Sequence, residues 1–390
     1  MLKDKLMRWE LFKENLPHLH SPYSKRNWGN ELHSVCSYQG KMKPSLAHHL
    51  IKVFSNENEK ILDPFSGSGT IPFEAVINNR ISFGIDISSM ATAVSNAKLL
   101  VHNRGEINRI INSLNRYIET QSPSKNTLSS LEHIHFNKKI SEYFHVDTLN
   151  EILLARDFFL LNPYYEKENW ALVIACMLHI LHGNRPYALS RNSHPITPYA
   201  PTGDFVYKNL IDKLTTKVNK SLIAQENLTY SHSICFQNDI LNHWNDDIKD
   251  IDLILTSPPF FDSTRFYMSN WMRYWFCGWG MDDFENKPKS FIEVIQKKGF
   301  SVYDYIFRSC YERLNDNGIV VFHLGSSDKC DMANSIAHIA EKYFFIHDIF
   351  TESVEHCESH GIDKGSVKGH QYLVLLKNRR NLAYYSVYSE

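Results

Sequence analysis

Residues 61–70 read Ile-Leu-Asp-Pro-Phe-Ser-Gly-Ser-Gly-Thr. An apolar run, a turn with two glycines and a threonine opening a new apolar segment is the pattern of a strand passing through a tight loop into a helix. Glycines let backbone approach a ligand closely. The helix start then presents unpaired N–H groups and the positive end of the helix dipole. A second strand pattern, Ile81-Ser82-Phe83-Gly84-Ile85-Asp86, ends in an acid 23 residues after Asp63. A carboxylate about 20 residues beyond a glycine turn is the usual ribose-hydroxyl acceptor of Rossmann-like folds. A lone Gly-x-Gly says little. In this strand–turn–helix–strand setting it restricts the chain to a doubly wound α/β sheet.

A second string follows the apolar run Ile251 to Leu255: Thr256-Ser257-Pro258-Pro259-Phe260. Two prolines fix φ and remove two backbone donors, so nearby carbonyls are left to accept hydrogen bonds. The Ser257 hydroxyl can also accept, and Phe260 offers a flat face for stacking. Such a turn suits an exocyclic NH2 of a base taken out of its duplex. Alone, it would equally serve as a rigid turn after a buried strand.

Together these strings resemble the S-adenosylmethionine-dependent amino-group DNA methyltransferases. Asp63 to Thr70 resembles their cofactor motif and Thr256 to Phe260 their catalytic motif. Tyr38-Gln39-Gly40-Lys41-Met42-Lys43-Pro44, with Leu46, is similar to the segment that precedes the cofactor motif and holds the methionine end. The resemblance implies a Rossmann-like seven-stranded sheet, mostly parallel, with an antiparallel last hairpin. It implies Ser257, Pro258, Pro259 and Phe260 as the catalytic turn and S-adenosylmethionine as cofactor. Its binding residues would be Lys43, Pro44, Asp63, Pro64, Phe65, Ser66, Gly67, Gly69, Thr70, Asp86, Ile87, Asp239, Ile240 and Thr256. Double-stranded DNA is the implied partner, and any restriction or defence nuclease would be a separate chain. Ser-Pro-Pro-Phe favours cytosine N4 over adenine N6. No Pro-Cys dipeptide occurs, so the cysteine nucleophile of cytosine C5 chemistry is not expected. Two other classes stay open: an RNA base methyltransferase, since the glycine motif also resembles tRNA guanine-N2 enzymes, and a non-catalytic binding module.

The remaining chain divides by pattern. Residues 1–35 read as an N-terminal arm, 36–101 and 231–390 as the catalytic core, and 102–230 as a helical insertion too long for a loop, a candidate DNA-recognition subdomain. Helices are expected at Pro44–Phe54, Thr70–Asn78, from an N-cap at Ser88 to about Leu100, at Leu149–Leu161 and at Trp170–Leu181. Strands are expected at Lys60–Leu62, Ser82–Asp86, Ser233–Phe236, Ile251–Thr256, Gly318–Leu324, Tyr343–Phe350 and Gln371–Lys377. Within the insertion, the turn-rich stretch 183–195 carries Arg185 and Arg191. These read as phosphate or base-edge contacts, or as parts of a surface connector. Arg265 and Tyr267, just past the catalytic turn, are further substrate-binding candidates. Trp271, Trp275 and Trp279 recur every fourth residue and read as a core stripe.

Bulk properties exclude a few classes. The net charge of −1 demands that any basic DNA-facing surface be local. No apolar stretch approaches a membrane span. Seven scattered cysteines, an odd number, point to a reducing, cytoplasmic setting. His356, Cys357 and His360 make no complete ligand set, so no metal is expected. His323, at a strand end, reads as structural.

Overall fold

Strands β1 (Lys60–Asp63), β2 (Ile81–Asp86), β3 (Ile234–Gln237), β4 (Ile251–Thr256), β5 (Leu314–Ser327), β6 (Phe345–Ser353) and β7 (Val367–Leu376) form one sheet in the order β3-β2-β1-β4-β5-β7-β6. The computed structural model describes residues 2–25, 28–162, 168–184, 186–194, 197–261, 266–354 and 367–377. Pairings from β3 through β5 are parallel, while β7 runs antiparallel to both β5 and β6. This is the doubly wound sheet with a terminal antiparallel hairpin that the motifs imply. The order turns outward at β1 and β4, so the loops after these two strands open into one crevice at the carboxyl edge.

The central strands are apolar without alternation because both faces are covered. Ile61, Leu253, Leu255, Ile319, Val321 and Val374 point to one side, against α1 (Leu2–Asn15), α2 (Pro44–Phe54) and α3 (Thr70–Ile77). Leu62, Ile254, Val320, Phe322, Leu373 and Leu375 point to the other, against α14 (Tyr303–Arg313) and α15 (Met332–Ala340). At the β3 edge, Asn96 of α4 (Ser89–Leu99) clips the strand: its amide donates to Cys235 O at 3.0 Å and accepts from Cys235 N at 2.8 Å.

The helical stretch contains α5 (Arg104–Thr120), α6 (Lys125–His133), α7 (Val146–Leu160), α8 (Glu168–Ile180) and α9 (Leu210–Gln225). Helix α8 is apolar all round, and Ala171 through Ile180 are buried, as such a helix must be. It packs on α4, and its core runs on into the short helices after the Ser-Pro-Pro-Phe turn: α10 (Phe266–Ser269), α11 (Trp271–Phe276) and α12 (Met281–Asn286), while Ile292 of α13 (Ile292–Ile295) joins the α14–α15 side of the sheet. Trp271, Trp275 and Trp279 all lie in this core, although α11 ends before Trp279.

Residues 2–15, read from sequence as part of an arm, form a helix built into the sheet layer. Trp9 is fully buried against Phe54, Phe350 and Tyr372, and its indole N–H donates to Asp348 at 2.8 Å. Trp9→Ala removes this whole payload and should lower the unfolding free energy by about 3–5 kcal/mol. Urea denaturation measures it; a loss under about 1 kcal/mol would mean that α1 docks loosely.

Candidate active site

The β1–α3 loop is shaped by glycine. Gly69 sits at φ +69°, and a Cβ there would lie 2.2 Å from Ser95 Oγ and 2.9 Å from Ser95 Cα. Only glycine avoids both the left-handed strain and that overlap. The turn is closed by Gly69 N donating to Ser66 O at 2.7 Å, and α3 begins at Thr70.

Two acids, Asp63 buried and Asp86 half-buried, hold the loop in place. Asp63 Oδ1 accepts from Phe65 N at 3.1 Å and from the Thr256 hydroxyl at 2.7 Å. Asp86 accepts from Gly67 N at 2.9 Å and from Ser88 N at 2.8 Å. Burial pushes the Asp63 carboxyl up to about 7 against the pull of its two donors. Burial likewise pushes Asp86 up to about 6.

A pocket opens over this loop. It is lined by Asp63, Phe65, Ser66, Gly67, Ser68, Thr70 and Ile71, by Tyr38, Gly40, Lys41 and Met42 of the preceding segment, and by Ser257 from the end of β4. The glycine turn and Ser257 of the Ser-Pro-Pro-Phe string, nearly 200 residues apart, thus meet in one cavity. Pro64, Gly69 and Thr256 support the same loop from behind. Lys43 and Pro44 stand outside the lining. The Lys43 ammonium donates to His18 O at 3.0 Å, and Pro44 opens α2. Lys41 takes the lining position and donates to His33 O at 2.7 Å. Asp86, Ile87, Asp239 and Ile240 lie beyond the lining too, at the ends of β2 and β3. Asn238 N donates to Asp86 O at 3.0 Å, bringing the two acidic turns together, and the Asp239 carboxylate accepts from Leu241 N at 2.9 Å.

The Ser257-Pro258-Pro259-Phe260 turn is braced from two sides. Buried Gln296 donates to Pro259 O at 2.8 Å and accepts from the Tyr303 hydroxyl at 3.0 Å. Phe260 lies against β5, where a Cβ on Gly325 would come within 2.5 Å of its ring. The ring is half-buried and also meets His323 at 5.6 Å and His370 at 6.0 Å. Ser257 Oγ lies 3.1 Å from His323 Nδ1.

The expected substrate contacts are not brought together here. Arg185 and Arg265 fall outside the described residues, as do His356, Cys357 and His360. Arg191 holds its own loop: it donates to Gly203 O at 2.8 Å and Glu142 O at 2.9 Å, and its guanidinium lies 4.2 Å from the Phe205 ring centre. Tyr267 is buried and lines a separate cavity of about 200 Å³ with Glu293, Lys289 and Lys297. Sequence reasoning missed Ser68, Gln296 and the pairing of His323 with Ser257. The last was within reach: Thr256 pairs with Phe322, so the next residue of each strand falls side by side.

Residues 9–96 match a family model described as DNA methylase, of the N6/N4 kind. The match is confined to this stretch, less than a quarter of the chain. The matched residues run from within α1 to within α4, and so contain the glycine loop, Asp63 and Asp86. The type II methyltransferase M.MjaII of Methanocaldococcus jannaschii is 30% identical over 103 residues, 26% of this chain and 19% of that protein. The chain therefore matches about a fifth of the relative's length. Among solved structures, TrmN of Thermus thermophilus is similar at 11% identity over 90% of this chain and 53% of that one, with a TM-score of 0.34. A methyltransferase of Pyrococcus furiosus is similar at 9% identity over 96% and 99% of the two chains, with a TM-score of 0.33. Scores of this size leave the fold to be read from the strand order itself.

S-adenosylmethionine is the cofactor that the motifs imply, and the residues present fit it. Ser68 Oγ and Thr70 Oγ1 are buried in the pocket wall and meet no hydrogen-bond partner among the described residues. Buried hydroxyls without partners are costly unless a ligand engages them. They sit at the start of α3, beside two carboxylates that can accept from an amine or a hydroxyl.

The raised acids have a consequence for stability. A carboxyl whose folded pKa lies above its unfolded value favours the folded state most when protonated. For Asp63 that stabilisation is complete below about pH 4 and is lost as the pH rises through about 7. Asp63→Asn keeps an acceptor for Thr256 and Phe65 but cannot ionise. In urea titrations without cofactor, the variant should lose less stability than the parent between pH 4 and pH 8. Parallel profiles would show that Asp63 titrates normally.

Proposed function

We propose that the protein transfers a methyl group from S-adenosylmethionine to the exocyclic amino nitrogen of a base flipped out of duplex DNA, with cytosine N4 as the target. One observation carries this reading: Ser257 shares a pocket with the glycine loop of the stretch matched to the DNA methylase family. The cofactor supplies an electrophilic methyl on a sulfonium. The protein's task is to hold the amine, a poor nucleophile because its lone pair is delocalised into the ring.

Ser257 Oγ accepts one N–H of that amine and the Pro258 carbonyl the other. This favours a more tetrahedral nitrogen and aims its lone pair into the pocket. Positioning of this kind can supply several kcal/mol, up to roughly 7–11 at best. Because Gln296 already engages the Pro259 carbonyl, the turn is held before substrate arrives. Flipping the base costs stacking and pairing energy, and the open face of Phe260 offsets part of it. No strong base is needed, since the methylated ammonium is a strong acid.

Ser-Pro-Pro-Phe supports cytosine over adenine. The pocket itself accepts either amine, so adenine N6 is the second reading. The experiment is mass spectrometry of nucleosides from unmethylated plasmid DNA incubated with the protein and labelled cofactor. N4-methylcytosine is expected, falling roughly 100-fold in Ser257→Ala. N6-methyladenine would keep the mechanism and change the base. Label that appears only in RNA, or nowhere, would overturn the reading.

A further inference from the structure

The Ser257 hydroxyl has two jobs that compete. To hold an amine it must offer a lone pair to an N–H, so its own proton has to point elsewhere. The neighbouring strand provides the place. His323, 4% exposed near the end of β5, sets Nδ1 3.1 Å from Ser257 Oγ. We propose that His323 is a positioning residue: its Nδ1 accepts the Ser257 O–H and so fixes the serine lone pairs toward the substrate amine. This rests on the methyltransferase reading above.

Three observations support that arrangement. The strand register places the two residues side by side, since Thr256 pairs with Phe322. Burial holds the imidazole far below its usual pKa, with His370 and His18 opposing a charge as well, so the ring is neutral and keeps one nitrogen free to accept. Nε2 meets no hydrogen-bond partner among the described residues. The rings of His370 at 4.8 Å, Tyr372 at 5.3 Å and Phe260 at 5.6 Å pack around the imidazole. A proton on Nε2 therefore faces aromatic surface, where N–H···π contact is available. With the proton there, Nδ1 is the acceptor. Tyr372 is itself fixed by its hydroxyl donating to Glu352 at 2.6 Å, and Glu352 pairs with His18 at 3.0 Å. The imidazole is thus walled in rather than free to turn.

The test uses the full chain with S-adenosylmethionine and plasmid DNA. His323→Ala should lower kcat roughly 10- to 100-fold, as loss of a partner behind a reacting group does, with KM for cofactor unchanged. His323→Asn puts an amide oxygen near the Nδ1 position and should recover most of the rate. Ser257→Ala/His323→Ala should be no slower than Ser257→Ala, because the histidine acts only through the serine. Wild-type kcat in His323→Ala would overturn the proposal. So would an asparagine variant as impaired as the alanine one together with multiplicative losses in the double variant. Nitrogen-15 NMR of the histidines decides the point without any turnover. An unprotonated Nδ1 on His323 that shifts in Ser257→Ala is expected, and a proton resident on Nδ1 would overturn it. A wild-type protein that methylates nothing would instead sink the methyltransferase reading, while the tautomer would still judge the serine–histidine pair.

Discussion

The hydrogen bond from the Thr256 hydroxyl to Asp63 joins the two ends of the site. It lies between adjacent parallel strands, fully buried at the threonine and 2% exposed at the acid. On one side Asp63 starts the glycine loop and accepts from Phe65 N; on the other Thr256 is the last residue before Ser257. A buried acid is costly unless donors meet it. Here the donors come from its own loop and from β4, so the carboxyl is satisfied only when both turns are in register. Asp86 repeats the device one strand away by taking the N–H groups of Gly67 and Ser88. Asp63, which lines the pocket, is thus also an acid that shapes the loop. This explains why burial can hold both acids above the usual carboxylate range without leaving them unpartnered.

That arrangement was legible in the sequence to the extent that it depends on local punctuation. Helix α2 and strand β4 fall at their expected bounds because proline opens one and closes the other. Ser88 caps α4 with its hydroxyl accepting from Ala91 N at 3.3 Å. What was not legible depends on partners distant in sequence. Strand β5 begins at Leu314, four residues before Gly318, and runs through Asn315-Asp316-Asn317. Those residues signal a turn, but pairing of Leu314 with Ile251 draws the segment into the sheet edge. The N-terminal helix was hidden for a similar reason. Its exposed basic residues suggest an arm, while Trp9 is buried by surfaces that the sheet alone creates.

The site residues divide in the same way. Glycine, proline and acid positions follow from backbone geometry, and the structure places Asp63, Gly67 and Ser257 around one pocket while Asp86 and Asp239 stand beyond its lining. Lys41 and Lys43 could not be separated by sequence. Which ammonium faces the pocket depends on carbonyls at His33 and His18, offered by turns with no helical or strand periodicity. Arg191 looked free to meet phosphate, yet its guanidinium plane matches two carbonyls and an aromatic face of its own loop. A planar fork of donors is most effective where several acceptors are already fixed.

The N-terminal residues connect these points. Lys13 and Trp9 meet Asp348 on β6, and His18 meets Glu352 two turns of the pleat further along. Glu352 accepts from Tyr372, whose ring borders His323, and His323 touches Ser257. Burial raises the Glu352 carboxyl, but His18 and Tyr372 more than offset it and keep the group below its ordinary range. Hydrogen bonds join Trp9 to Asp348, His18 to Glu352, Glu352 to Tyr372 and Ser257 to His323, and ring packing closes the row between Tyr372 and His323. The antiparallel hairpin β6–β7 is therefore more than a sheet edge. It carries the N-terminal helix and, through the same Tyr372 ring, the wall beside Ser257. Through Tyr372, Trp9 is linked to the wall of a turn nearly 250 residues away, since that ring meets both Trp9 and His323.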